Sequence, residues 1–212
     1  MDYIFAVDEA IQKLLSCLSD STGWKYLKSR RCLKKTVKDL IFEIDFYSSK
    51  WNTSHESVEV NAAFNLSCKR YGKFPVDNVI ASVSYQPELY TPGGGYWYDI
   101  STEKKLFDSF EDLNYRIQGS AVILCNSFED DYFAATQALF QEHFDEYSVH
   151  LDFIADVLGF SVIEEKAHEI YDNLSAEMKL QVLEYKNGAR NKTWMNNRGN
   201  LKFIVDNGLV IL

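Results

Sequence analysis

The sequence predicts an α+β protein: one N-terminal helix, an antiparallel sheet of four to six strands, then a layer of about five helices. Hydrophobic residues alternate with period 2 through much of residues 24–100 and recur at about 3.6 after Ser101. With 46% hydrophobic and 15% aromatic residues in 212, the chain has the apolar surface to offset its conformational entropy. Charge is blocked in step with these periods. Residues 24–50 carry eight Lys and Arg against three acids, 99–185 carry five against nineteen, and 186–202 carry five against none. Residues 1–212 read as a single compact unit, with helix and sheet in 1–100 and helices plus a basic C-terminal strap in 101–212.

Ile4, Val7, Ile11, Leu14, Leu15 and Leu18 recur at three- and four-residue intervals, which predicts a helix over 3–19 that Gly23 helps to end. Residues 24–28 and 31–37 are strand candidates joined at Ser29-Arg30. In 39–47, Leu40, Phe42, Ile44 and Phe46 oppose Glu43 and Asp45. In 58–69, Val58, Val60, Ala62, Phe64, Leu66 and Cys68 oppose Glu59, Asn61, Asn65, Ser67 and Lys69. One wet face on each strand favours antiparallel pairing. Residues 79–85 and 96–100 supply two more strands; a polar loop at 51–55 joins the strands 39–47 and 58–69, and a flexible Gly93-Gly94-Gly95 loop lies between 79–85 and 96–100. Leu106 to Ile117, Phe133 to Tyr147 and Leu151 to Leu158 mark three helices. Ser127, Ser161 and Ser175 read as N-caps, and the 201–212 tail reads as a short hairpin or a docked end around Asn207-Gly208.

The leading helix, Gly23-Trp24-Lys25, the basic hairpin, the strand Leu40 to Lys50 and the strand ending near Leu66 resemble the bacterial proteins grouped as domain of unknown function 4304. Tyr96-Trp97-Tyr98-Asp99-Ile100 before a helix, with Ser127-Phe128-Glu129-Asp130 later, is also similar. The resemblance covers about residues 1–145. The chain departs from it where Tyr47-Ser48-Ser49 stands in place of that family's usual Gln-Lys-Ser. It implies a fold and a bacterial context, and no catalytic residues.

Net charge of −9 disfavours a whole-molecule polyanion binder. The N-terminus has no basic region or apolar signal core, and no run approaches the roughly 18 apolar residues of a membrane span. Cys17, Cys32, Cys68 and Cys125 form no Cys-x-x-Cys pair. A cytoplasmic protein with reduced thiols, no membrane partner and no cofactor or metal is the expectation.

Three functional classes remain. The first is a non-catalytic protein-interaction module, in its most concrete form an immunity-type protein that binds a basic partner. Its candidate surface combines Tyr90, Tyr96, Trp97 and Tyr98 around the glycine loop with Glu142, Asp145, Glu146, Asp152 and Asp156 on the helices. The aromatics serve equally as core between sheet and helices, and the acids as a solvated surface. The second is a single-stranded nucleic-acid groove on the hairpin 24–38, built from Trp24, Lys25, Tyr26, Lys28, Arg30, Arg31, Lys34 and Lys35; lysines on edge strands that discourage aggregation are the plainer alternative. The third is an enzyme with a His and carboxylate site drawn from His143, Asp145, His150, Asp152 or the pair Glu165 and His168. Helix-end polar residues account for these as well.

Overall fold

A computed structural model describes residues 3–71, 79–87, 97–188 and 199–210. The architecture is α+β, with helix, antiparallel sheet and then helices, in the expected order. Contacts divide the chain into two compact units, residues 1–135 with 146–148, and residues 136–145 with 149–212. The division falls later than the change of hydrophobic period, because the first helical run after Ser101 packs on the sheet.

In the first unit, helix α1 (Val7–Thr22) buries Ala10, Ile11, Leu14, Leu15 and Leu18. It starts four residues later than its spacing suggests. Residues 3–5 are claimed by strand-like bonds, with Ile4 bridging Thr102 and the Phe5 amide donating to the Ser101 carbonyl at 2.8 Å. Gly23, at φ 69°, ends the helix in the left-handed region where a side chain is disfavoured.

Strands β1 (Lys25–Leu27), β2 (Cys32–Val37), β3 (Leu40–Ser48), β4 (Glu59–Cys68) and β5 (Val79–Tyr85) lie in sequence order, all antiparallel. Strand β6 (Tyr98–Asp99) extends the sheet beside Glu59 and Val60 of β4. Alternation on β3 and β4 is translated directly into burial: Leu40, Phe42, Ile44 and Phe46 pair in register with Cys68, Leu66, Phe64 and Ala62 on the covered face. Phe42 is the hub, with ring centroids 6.1 Å from Trp24, 6.2 Å from Phe64 and 6.0 Å from Phe128. Edge and offset pairs of this kind each add about 0.5–1.5 kcal/mol beyond area burial.

From Glu103 to Asp130 the backbone is one continuous helix: α2 (Glu103–Ile117), a π-wound segment Gln118–Val122, and α3 (Ile123–Asp130). Thr102 caps its start by accepting from the Lys105 amide. Because the chain is already helical before it, Ser127 caps nothing. Its hydroxyl donates back to the Ile123 carbonyl at 3.0 Å. The cap of the next helix, α4 (Tyr132–Gln141), is Asp131, whose carboxylate accepts from the amides of Phe133 and Ala134 at 3.0 Å each. Helix α4 stops before Phe144 and Tyr147, where Ser148 adopts φ 47°.

The second unit contains α5 (Leu151–Leu158), α6 (Phe160–Asp172), α7 (Ala176–Lys186) and α8 (Gly199–Asp206). Ser175 caps α7 as expected, through the Met178 amide at 3.2 Å. Ser161 does not cap α6, because Gly159 at φ 95° makes the turn and Phe160 already begins the helix. Residues 201–206 are helical, not a hairpin. Leu201 and Val205, one turn apart, pack with Val182 and Tyr185, and Gly208 at φ 65° ends the segment. The Asn200 side chain closes the unit on itself, accepting from the Leu151 amide at 2.7 Å and donating to the Val149 carbonyl at 2.8 Å.

Candidate functional site

The basic hairpin is drawn into the fold by acids of the next strand, β3, and of two helices. The turn Lys28–Arg30, with Arg31 at φ 49°, swings Arg30 over the wet face of β3. There it meets Glu43 at 2.8 Å and Asp45 at 3.7 Å, while Lys34, directly across from Glu43 in register, joins it at 3.1 Å. Arg31 pairs with Asp8 of α1 at 2.8 Å, and Lys35 with Glu129 of α3 at 2.8 Å. Lys25 and Lys28 remain exposed and, among the described residues, in no ion pair. Trp24 is 2% exposed and belongs to the core, so it cannot stack on a base, and Tyr26 is half-buried. Asn65 donates to Asp45 at 3.0 Å, and burial pushes the Asp45 carboxyl above its usual range against that bond. Glu43, Asp45 and Asn65 were legible only as the polar half of an alternating pattern.

The aromatics expected around the glycine loop separate. Tyr90 and Tyr96 lie outside the described residues, and Trp97 is half-buried. Tyr98 is buried, its hydroxyl donating to Asp112 at 2.7 Å, and Arg116 holds the same carboxylate at 2.9 Å. Tyr85, at the end of β5, meets the Ser120 hydroxyl of the π segment at 2.8 Å. Asp112, Arg116 and Ser120, four residues apart, thus form one polar row that anchors the two strand ends flanking residues 86–97. Burial raises the pKa of both tyrosines, and that of Tyr147 to about 12, so all three stay neutral at ordinary pH. Tyr85 and Tyr98 therefore act as anchors in the core.

The acids expected on the helices are placed unequally. Glu142, Asp145, Glu146 and Asp156 are exposed, and Asp152 is half-buried with its carboxylate accepting from the Phe153 amide at 2.7 Å. In the second unit, α6 buries Ile163 and Ala167 and exposes Glu164, Glu165, His168, Glu169 and Asp172. Its one lysine, Lys166, lies over the Phe144 ring at 4.9 Å and pairs with Glu169 at 3.1 Å and Asp145 at 3.5 Å. Phe160, at the start of the helix, is stacked on Phe203 at 5.9 Å yet remains 47% exposed. His150 faces Gly199, where an added Cβ would lie 3.3 Å from the imidazole. Among the described residues, no group of three or more His, Cys, Asp or Glu is placed to hold a metal ion.

The chain matches no family model, no curated protein and no solved structure.

Two further features of the first unit escaped the linear pattern. At one end of the sheet, Asp39 accepts from the Cys68 thiol at 3.3 Å and from Arg70 at 2.6 Å, and Arg70 also donates to the Tyr132 hydroxyl at 3.1 Å. Burial opposes the charge on Asp39, but the thiol and guanidinium outweigh it and hold the carboxyl below its usual range. At the other end, the loop between β3 and β4 presents Trp51, 78% exposed, with the Lys50 ammonium 4.9 Å from its ring centroid. Beside that loop lies a cleft of about 390 Å³ lined by Tyr3, Phe5, Thr102, Glu103 and Lys104. Cys32, Cys68 and Cys125 are buried free thiols, and burial pushes Cys32 and Cys125 up to about 11. No helix among the described residues is long and apolar enough to cross a membrane.

Proposed function

We propose that this chain is a non-catalytic protein-interaction module of the bacterial cytoplasm that binds a basic partner through its second unit. The observation that carries the reading is the face of α6: five polar side chains, four of them acidic, stand exposed behind the half-exposed Phe160, and the helix's single lysine is already paired. An acidic surface with an accessible aromatic offers both long-range steering of a cationic protein and an apolar contact on arrival. An immunity-type protein that neutralises a basic toxin is the most concrete form, and the resemblance to the domain of unknown function 4304 proteins accords with its bacterial setting.

Support for nucleic acid on the hairpin is weaker, because Arg30, Arg31, Lys34 and Lys35 spend their charge on internal acids and Trp24 is buried. A site among His143, His150 and His168 has no assembled geometry behind it. The test is affinity capture from the native host with wild-type protein and with the triple variant Glu164→Lys, Glu165→Lys, Glu169→Lys. A stoichiometric basic protein that the triple variant loses is expected. Capture of no such protein, or its undiminished retention by the variant, overturns the proposal.

A further inference from the structure

We infer that the basic partner is anchored on α6 by an arginine, its guanidinium stacked on the open face of the Phe160 ring and its charge met by Glu164. This rests on the reading of α6 as the docking face for a cationic protein, and it names the side chain by which that protein is held.

Phe160 is the first residue of α6, set there by the turn at Gly159. One face of its ring is covered by Phe203 of α8, with 5.9 Å between centroids and 17° between planes, and Phe203 is itself half-buried. A ring backed in this way has little rotamer freedom left to lose on binding. It nevertheless stays 47% exposed, so its other face is open to water. Glu164 follows four residues on and is exposed as well. Positions i and i+4 are neighbours on a helix surface, with about 5–6 Å between their Cβ atoms, so the carboxylate and the open ring face border the same strip of α6. Among the described residues the Glu164 carboxylate has no ion-pair or hydrogen-bond partner, and no cation lies over the Phe160 ring.

The lysines of α6 and α8 are already paired. Lys166 rests over Phe144 and pairs with Glu169 and Asp145, and Lys202, next to Phe203 in α8, pairs with Asp206 at 2.5 Å. Glu165, Glu169 and Asp172 stand exposed further along α6, so the field over the strip is negative. An aromatic face with a free carboxylate beside it takes a cation, and its geometry selects which one. A guanidinium is planar and weakly hydrated: it lies flat on an aromatic ring while the N–H groups at its edge fork onto a carboxylate. A lysine ammonium is a strongly hydrated point charge, which gains the attraction of Glu164 but gives up hydration to sit on the ring. The strip therefore favours arginine over lysine at equal charge.

Fluorescence anisotropy of the intact chain with two labelled peptides supplies the test. One peptide alternates arginine with glycine and the other lysine with glycine, at equal length and charge. The arginine peptide should bind about fivefold more tightly, or better. Phe160→Leu keeps an apolar side chain against Phe203 but removes the ring face, and Glu164→Gln removes one charge at an exposed position. Each should abolish most of the preference for arginine while keeping the wild-type circular dichroism spectrum. Equal binding of the two peptides by the wild-type chain, binding of neither, or a preference that survives in Phe160→Leu overturns the arginine anchor. Should Phe160→Leu fail to fold, a preference undiminished in Glu164→Gln overturns it. Equal binding that the triple variant Glu164→Lys, Glu165→Lys, Glu169→Lys releases removes the anchor and leaves the docking of a basic partner standing. Capture of no basic protein, with the peptide preference intact, removes that partner and leaves the arginine site.

Discussion

Asp39 and Asp45, six residues apart, show how the same side chain acquires opposite roles from its surroundings. Asp39 is held below the usual carboxylate range by Cys68 and Arg70 despite its burial. A carboxylate with a depressed folded pKa adds stability that is fully present above the unfolded value and is lost as pH falls through the folded one. Asp39→Asn should therefore cost about 1 kcal/mol at neutral pH. The variant and wild-type urea midpoints should converge in acid. Parallel midpoint curves down to low pH would remove this role. Asp45 moves the other way. Burial raises its pKa, so its ionisation weakens the fold as pH rises through the interval above the usual carboxylate value. Neither sign was readable from the sequence, because Asp39 is partnered by residues 68 and 70 and Asp45 by residues 30 and 65.

At the scale of elements, the long helix from Glu103 to Asp130 decides which serine and aspartate do capping work. The Ser127-Phe-Glu-Asp130 motif has the composition of a helix start, yet propagation from Ile123 carries the helix through it. Once a helix is nucleated, each added residue costs little, so an internal cap motif is overridden. Asp131 should therefore carry the capping energy: Asp131→Ala is expected to lower stability by about 1 kcal/mol. Ser127→Ala should change it by no more than a few tenths of that, since its hydroxyl only bonds back within the helix. Chemical denaturation of the two variants side by side measures the contrast, and an equal loss in both would contradict it. The π-wound segment is a second case. It keeps Ser120 aligned with Arg116 and Asp112 toward Tyr85 and Tyr98, an alignment that no 3.6-residue pattern announces.

At the scale of the whole molecule, segregation of charge along the chain is largely undone within the first unit. Its basic hairpin pairs with acids from α1, β3 and α3. Exposed pairs of this kind are each worth about 0–1 kcal/mol. Their larger effect is to lower the potential that a polyanion would feel. A single-stranded oligonucleotide should show no binding in a gel shift at physiological salt. Glu43→Gln with Glu129→Gln should bring in weak binding with a steep salt dependence by freeing the hairpin's cations. Tight binding by the wild-type chain would reverse the order of the functional proposals.

Local pattern alone determined the fold class, the order of its elements and the wet and dry faces of β3 and β4. Period-2 and period-3.6 burial are properties of neighbouring residues, and Phe42, Phe64, Leu14 and Leu18 declare them without any partner. Only the tertiary structure decided where charge and aromatic surface end up. Trp24 and Tyr98 went to the core, Arg30 met Glu43 on the neighbouring strand, Lys35 found Glu129 far from it in the chain, and Trp51, read as part of a polar turn, became an exposed large hydrophobic side chain. Ion pairing and burial depend on which distant segments the sheet and long helix bring together, and that information is not local to any stretch of the sequence.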